Sequence, residues 1–318
     1  MKKEKWLSTK KMEKILTKPA VYIPLAVLCC VLWSSAFPFI KLGYRYFEVE
    51  AGDYASQILF AGCRFMMAGI ITLILSSLIS KQLLIPQHRA TVSRIVVLSF
   101  AQTAVQYTLF YFALAKTAGS TGSVLNSAGT FFCVLLSAIV FQSDRLSVPK
   151  IAGCILGFGG IVWMNFSTLQ LSKGFLGEGL MVLSAMSYAV SSVLIKKFSE
   201  YDNPALLSGW QFFVGGLLMI AVGGAFGGEL SHIDGRGMAV LVYLAFVSAV
   251  AYTLWGVLLK YNAVSKIAVF GFIIPAGGVI LSALLLGEQV NIGMSFVCLA
   301  LVSAGIVLVN MPKKQLKK

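Results

Sequence analysis

Charge is scarce in this 318-residue chain: Asp, Glu, Lys and Arg make up only 12% of it, about half the share of an ordinary soluble domain. Acid is scarcer still, with 12 Asp and Glu against 26 Lys and Arg, and there are two histidines, His88 and His232. The six cysteines (Cys29, Cys30, Cys63, Cys133, Cys154, Cys298) form no C-x-x-C pair and lie inside apolar stretches away from both histidines. That pattern argues against a zinc site and against a disulfide scaffold. The H-E-x-x-H, G-x-S-x-G and phosphate-loop motifs and an intramembrane aspartate pair are all missing, so metalloprotease, serine hydrolase, ATPase and intramembrane protease chemistry lack their required groups. The nearest thing to a phosphate cradle is AKTAGSTGS at 115–123, where Lys116 precedes the glycines and none follows Gly122. A phosphate loop needs its lysine after the second glycine. No enzyme and no cofactor is indicated.

What the chain has instead is apolar length. Hydrophobic residues make up 58% of it and the mean hydropathy is +0.85. Ten segments, near 20–43, 55–80, 92–116, 119–142, 148–167, 175–199, 205–227, 238–262, 265–286 and 292–311, are each long enough to cross a bilayer core as a helix. The first exceeds the apolar run of a signal peptide and ends without a small-x-small cleavage site, so it reads as a retained helix. With the N-terminus in the cytoplasm and ten crossings, 20 of the 26 Lys and Arg fall inside, including seven before residue 20. Lys41, Arg45, Lys116, Lys173 and Arg236 fall outside, and Arg64 lies within a segment. This positive-inside bias makes the basic tails topology signals beside anionic lipid. A nucleic-acid partner is the weaker explanation of the net charge of +14, because no RNA-binding or helix-turn-helix signature accompanies it.

The segments repeat. A shift of 145 residues lays QYTLFYFALAKTAGS (106–120) over AYTLWGVLLKYNAVS (251–265) and gives 16 identities in the 59 gap-free positions from 107 to 165. GCRFMMAG (62–69) falls on GWQFFVGG (209–216), and Ile40-Lys41 on Ile195-Lys196, at slightly different offsets. The unit is five helices. An odd number forces the second copy to enter the membrane from the opposite side, the architecture of secondary transporters, whose sites lie near the midplane between the halves.

WSSAFPFIK (33–41), CRFMMAG (63–69), YTLFYFALAKTAGS (107–120), LLSAIVFQSDRLS (135–147) and PAGGVILSALLLGEQV (275–290) together resemble the EamA-type members of the drug/metabolite transporter superfamily, over essentially residues 20 to 311. The resemblance implies an all-α integral membrane protein of ten transmembrane helices in two inverted repeats, 20–167 and 175–311, between basic cytoplasmic tails at 1–19 and 312–318. It also implies a carrier of small metabolites, often an exporter, in a bacterial cytoplasmic membrane, with no cofactor. Two departures bear on motion: the first half has Thr130 where the second has Pro275, and the acidic residue after helix 4 is Asp144 where Glu is usual.

Candidate site residues follow from helix periodicity. Ser248, Tyr252 and Trp255 share one face of helix 8, and the repeat puts Thr103, Tyr107 and Phe110 on the same face of helix 3. Gln102 and Gln106 lie one turn apart; helix 6 adds Ser184, Tyr188 and Ser191; helix 1 adds Trp33 and Ser34; helix 4 adds Asn126 and Thr130. Side-chain amides facing lipid are costly, so the glutamines and aromatics point to cavity lining. Such a cavity suits an amino-acid-like or other small amphipathic solute. The serines and threonines equally well serve close helix packing.

Arg64 has two readings, a ligand for a substrate carboxylate or a structural partner for outer-side acids among Glu48, Glu50, Asp53 and Glu288. Lys41 and Lys196, at helix ends, suit anchoring by snorkelling or gating. Asp144 and Glu288, following helices 4 and 9, suit loop or gate anchors. The rival functions are a multidrug exporter of the same fold, which would favour an intramembrane carboxylate for cations, and a membrane receptor or scaffold that binds without transporting. No protein partner is indicated, and monomer and homodimer both remain open.

Overall fold

The computed structural model describes residues 12–50, 52–114, 119–141, 144–166, 176–231, 233–287 and 292–311. Most of them are helical, joined by short turns and loops, with no strand among the described residues. From residue 19 on, ten helical segments follow one another: α1 (Pro19–Tyr46), α2 (Tyr54–Ser80), α3 (89–114), α4 (Gly119–Val140), α5 (Val148–Asn165), α6 (Leu176–Phe198), α7 (Pro204–Ala225), α8 (Gly235–Tyr261), α9 (264–286) and α10 (Ile292–Asn310). Six stretches, Pro19–Tyr46, Tyr54–Ser80, Arg89–Ala113, Leu176–Phe198, Pro204–Ala225 and Gly235–Tyr261, are long and apolar enough to cross a membrane. Four shorter apolar helices, Leu125–Val140, Val148–Trp163, Val264–Gly278 and Phe296–Asn310, stand beside them.

Local chemistry sets the helix ends. Proline opens the first turn of α1, α5 and α7, where its missing N–H costs nothing. Asp53, Asn203 and Asp234 cap α2, α7 and α8 by accepting from the backbone N–H of Ser56, Ala205 and Gly237. Ile79, Ile139, Leu284 and Phe296 are at least 74% exposed. Such side chains give the outer surface an apolar face suited to lipid.

Two helices are irregular. Residues Ser99–Val105 of α3 form a π-helical segment, and Ser184 and Ser187 of α6 donate to the carbonyl oxygens of Gln106 and Ala101, at 2.9 and 2.6 Å. Residues Val269–Phe272 of α9 tighten into a 3-10 turn just before Pro275, which cannot donate to the carbonyl four residues back. The residue equivalent to Pro275, Thr130, sits in uninterrupted helix, so the two halves differ at this point.

The packing has two-fold character. α2 packs against α7 and α5 against α10, each helix against its own repeat mate. The remaining strong pairs exchange under the same operation: α1 with α9 and α6 with α4, α1 with α8 and α6 with α3, α2 with α8 and α7 with α3. Close glycine approaches fix the direction. Gly62 of α2 meets Gly216 and Ile220 of α7, while Gly69, two turns further on, meets Gly209 and Phe213. α5 and α10 behave alike, with Gly153 against Gly305 and Gly160 against Cys298. Equivalent helices therefore run antiparallel across the axis, which makes the second half inverted with respect to the first.

Candidate functional site

An axis between inverted halves brings equivalent side chains face to face, and aromatic residues occupy that position here. Phe65 of α2 and Phe212 of α7, repeat mates, stack with centroids 5.4 Å apart and an interplanar angle of 16°. Each packs on one tyrosine of the other mated pair: Phe65 on Tyr107 at 4.4 Å, Phe212 on Tyr252 at 4.8 Å. The Tyr107 and Tyr252 hydroxyls are hydrogen-bonded to each other across the axis, joining residues 145 apart, the repeat offset itself. Offset and edge-on aromatic pairs of this kind add about 0.5–1.5 kcal/mol each beyond burial. The centre of the bundle is thus an aromatic cluster contributed equally by both halves.

Polar groups flank it unequally. On one side Arg64 Nε donates to Ser248 Oγ at 3.0 Å; on the other Gln211, the repeat mate of Arg64, donates from Nε2 to Gln102 Oε1 at 2.5 Å. Beyond Tyr252, Trp33 lies edge-on to Tyr252 and to Trp255 at 4.8 and 5.0 Å. Gln102, Ser208, Gln211, Tyr252 and Trp255 line a cavity of ≈ 10 Å³, room for about one water molecule. The indole N–H groups of Trp33 and Trp255 and the amide oxygens of Gln106 and Gln211 are buried without a hydrogen-bond partner among the described residues. Each such atom carries a desolvation cost of about 1–3 kcal/mol that a ligand or water removes.

The structure thus brings together Trp33, Gln102, Tyr107, Tyr252 and Trp255 from the sequence-derived set, while Gln106, buried on α3, meets Ser184 of α6 through its backbone carbonyl. Tyr188 is half-buried on α6, its ring against the position where Gly129 of α4 has no side chain. Others it places elsewhere. Ser34 donates to the carbonyl oxygens of Cys30 and Ile274, at 2.7 and 3.1 Å, and so fastens α1 to α9. Ser191 donates to the Tyr188 carbonyl of its own helix. Thr130 packs on Gly271 of the 3-10 turn, and Asn126 is half-buried one turn earlier on α4. Phe65 and Phe212 were not among the expected residues. Their signal was present, since the 62–69 and 209–216 motifs put a phenylalanine at equivalent positions.

Among the described residues Arg64 pairs with no acid: the side-chain ion pairs there are Arg94 with Asp202 and Lys150 with Asp144. Lys196 donates to the carbonyl oxygens of Leu259 and Asn262, at 2.9 and 2.6 Å, and so caps the end of α8, while Lys41 of α1 is exposed. Asp144 is 2% exposed, more deeply buried than a loop anchor needs to be. It accepts from Lys150 Nζ and Ser265 Oγ at 2.5 Å and from Ser265 N at 3.0 Å, so it ties the α4–α5 connection to the first turn of α9. Burial alone would raise its pKa, but the bonds from Lys150 and Ser265 outweigh it and hold the carboxyl below the usual carboxylate range. Glu288 lies outside the described residues.

The model of the EamA-like transporter family matches residues 20–166 and 175–311, one copy on each half. The chain belongs to the EamA-like transporter family. Among relatives of this EamA-like protein, the probable amino-acid metabolite efflux pump of Escherichia coli K12 is 28% identical over 298 residues, 89% of this chain and 93% of its own. The uncharacterized transporter YvbV of Bacillus subtilis is 24% identical over 311 residues, 96% of each chain. A chloroplastic WAT1-related protein of Arabidopsis thaliana is 25% identical over 211 residues, and there the match spans only 50% of the relative's length. A solved crystal structure aligns with a TM-score of 0.74 over 92% of this chain and 98% of its own, at 17% identity, which shows a shared fold. This EamA-like protein is an integral membrane transporter and not an enzyme.

Proposed function

We propose that the protein is a secondary carrier that exports small amino-acid-like or otherwise amphipathic metabolites, exposing a midplane cavity alternately to the two sides of the membrane. All ten segments cross, with both termini in the cytoplasm. The observation that carries the reading is the aromatic centre itself: both inverted halves contribute to it equally, and it holds buried donors and acceptors that no described residue satisfies. A cavity of ≈ 10 Å³ is too small for a solute, so this arrangement corresponds to a closed centre that must widen to load. The Asp144–Ser265 contact closes the side where α6 and α8 end, and its release is the opening step on that side. The name of the Escherichia coli relative supports both the solute class and the outward direction. Described residues at the aromatic centre include no carboxylate, which disfavours a dedicated exporter of organic cations.

Gln106→Ala and Trp255→Ala variants, reconstituted in liposomes, test the site. The expected result is transport of amino acids reduced at least about tenfold, the worth of a lost buried hydrogen bond, with membrane insertion equal to that of the parent. Parental transport in both variants would refute the site.

A further inference from the structure

A guanidinium is expensive to keep inside a bilayer, and one that persists there is paired, hydrated or used. Arg64 is 4% exposed and sits on α2, about 15 Å along the helix from its start. Its Nε is held by Ser248 at 3.0 Å and its guanidinium carbon lies 5.2 Å from the centroid of the Phe65 ring, which packs on Tyr107 at 4.4 Å. Among the described residues no carboxylate pairs with it, and these include every acid of the chain except Glu4 and Glu288. The other half supplies the comparison. At the equivalent position Gln211 makes a side-chain bond to α3 with an amide alone. A neutral donor therefore satisfies the packing there, and the positive charge of Arg64 goes beyond what packing requires.

A second, independent observation lies on the far side of the tyrosine pair. Trp33, Gln211 and Trp255, all at most 8% exposed, carry polar atoms with no partner among the described residues. The two indole donors and the Gln211 acceptor border an aromatic enclosure, across the tyrosine pair from a charge that has no counter-ion among the described residues. A guanidinium that meets no described acid is the group that binds a carboxylate, by charge-assisted hydrogen bonds.

We infer that Arg64 is the anion subsite of the central site, and that the carried solute bears a carboxylate whose apolar body lies among Trp33, Tyr252 and Trp255. This rests on the carrier reading. Ser248 positions the guanidinium through Nε, which leaves the terminal nitrogens for the carboxylate. The Gln211 oxygen offers an acceptor for an ammonium on the same solute. The tyrosine pair separates Arg64 from the tryptophans, so parting of these two hydroxyls accompanies loading.

The test uses the full-length protein in nanodiscs for binding and in proteoliposomes for counterflow, with four probes: L-phenylalanine, its methyl ester, phenethylamine and 3-phenylpropionate. The two carboxylates are expected to bind at least about tenfold more tightly than the ester and the amine, the discrimination expected of one charge-assisted hydrogen bond. Arg64→Gln, which copies the other half, should abolish that preference, and Arg64→Lys should keep part of it. If Arg64→Gln does not fold, Ser248→Ala, which removes only the positioning bond, should weaken the preference. Equal binding of acid and ester by the parent protein, no binding of any probe, or a preference that persists in Arg64→Gln would overturn the assignment. Binding with the carboxylate preference but without counterflow would instead refute the carrier reading and leave the subsite standing. Counterflow without the preference would do the reverse.

Discussion

Adjacent glycines on α7 should respond oppositely to the same substitution. A Cβ on Gly223 would stand 2.7 Å from the backbone nitrogen of Leu59 and 2.9 Å from the Ala55 carbonyl oxygen, whereas one on Gly224 would meet nothing within 4 Å. Gly216 is tighter still, 2.4 Å from the backbone nitrogen of Met66. These neighbours are main chain and cannot rotate away, so α2 and α7 must part locally by about 1 Å to restore ordinary contact distances. Overpacking of this kind costs about 1–3 kcal/mol, against a gain of up to about 1 kcal/mol from the better helix propensity of alanine. Gly216→Ala and Gly223→Ala should therefore lose up to about 2 kcal/mol, and Gly224→Ala should be neutral or gain up to about 1 kcal/mol. The propensity gain is common to all three, so the groups differ by the overpacking cost alone, and thermal unfolding in detergent, followed by fluorescence, should separate them by roughly 2 °C or more. Equal melting temperatures for all three variants would refute the antiparallel α2–α7 contact on which the inverted arrangement depends.

Other outcomes follow from individual contacts. Asp144→Asn should destabilise the protein at neutral pH by about 1–3 kcal/mol, because Lys150 and the start of α9 lose a charged acceptor. The folded carboxyl titrates below its ordinary value, so its contribution is complete above the unfolded pKa and disappears as pH falls through the lowered one; melting curves of parent and variant should converge in acid. Removing one hydroxyl from the central pair, with Tyr107→Phe or Tyr252→Phe, should alter transport more than stability, as compared by counterflow and melting of each variant. Topology is testable with single cysteines at the exposed positions Gln87 and Arg236, which should label with an impermeant thiol reagent from opposite sides. Ser265, in the first turn of α9, is fully buried against Asp144 and unsuited to labelling.

The helices were legible because hydrocarbon demands length and apolarity, and those are written directly in the residues. The same holds for the meeting of Tyr107 and Tyr252: a two-fold operation maps one onto the other, so the 145-residue offset already made them candidates for facing each other. What escaped was set by geometry with no compositional trace. The π-helical turn at Ser99–Val105 carries no proline or glycine, and the serines that satisfy its carbonyls lie on another helix. Ser34 and Ser191 look identical in sequence to cavity serines but spend their hydroxyls on nearby carbonyl oxygens, a choice decided by rotamer and neighbour. Asp144 reads as a loop residue from its place between two apolar runs, yet the chain folds it beneath the start of α9, where exposed N–H groups attract a carboxylate. Acidic partners for Arg64 looked available because several carboxylates occur near the ends of α1 and α2; distance along the helix separates them from it.

Counterflow in proteoliposomes tests the central claim most directly, since only a carrier couples the entry of one solute to the exit of another. Vesicles loaded with unlabelled amino acid should transiently accumulate labelled amino acid above its equilibrium level, and Trp255→Ala protein inserted to the same extent should not. Absence of accumulation across amino acids, nucleosides and cationic dyes, or equal accumulation by Trp255→Ala, would contradict the account.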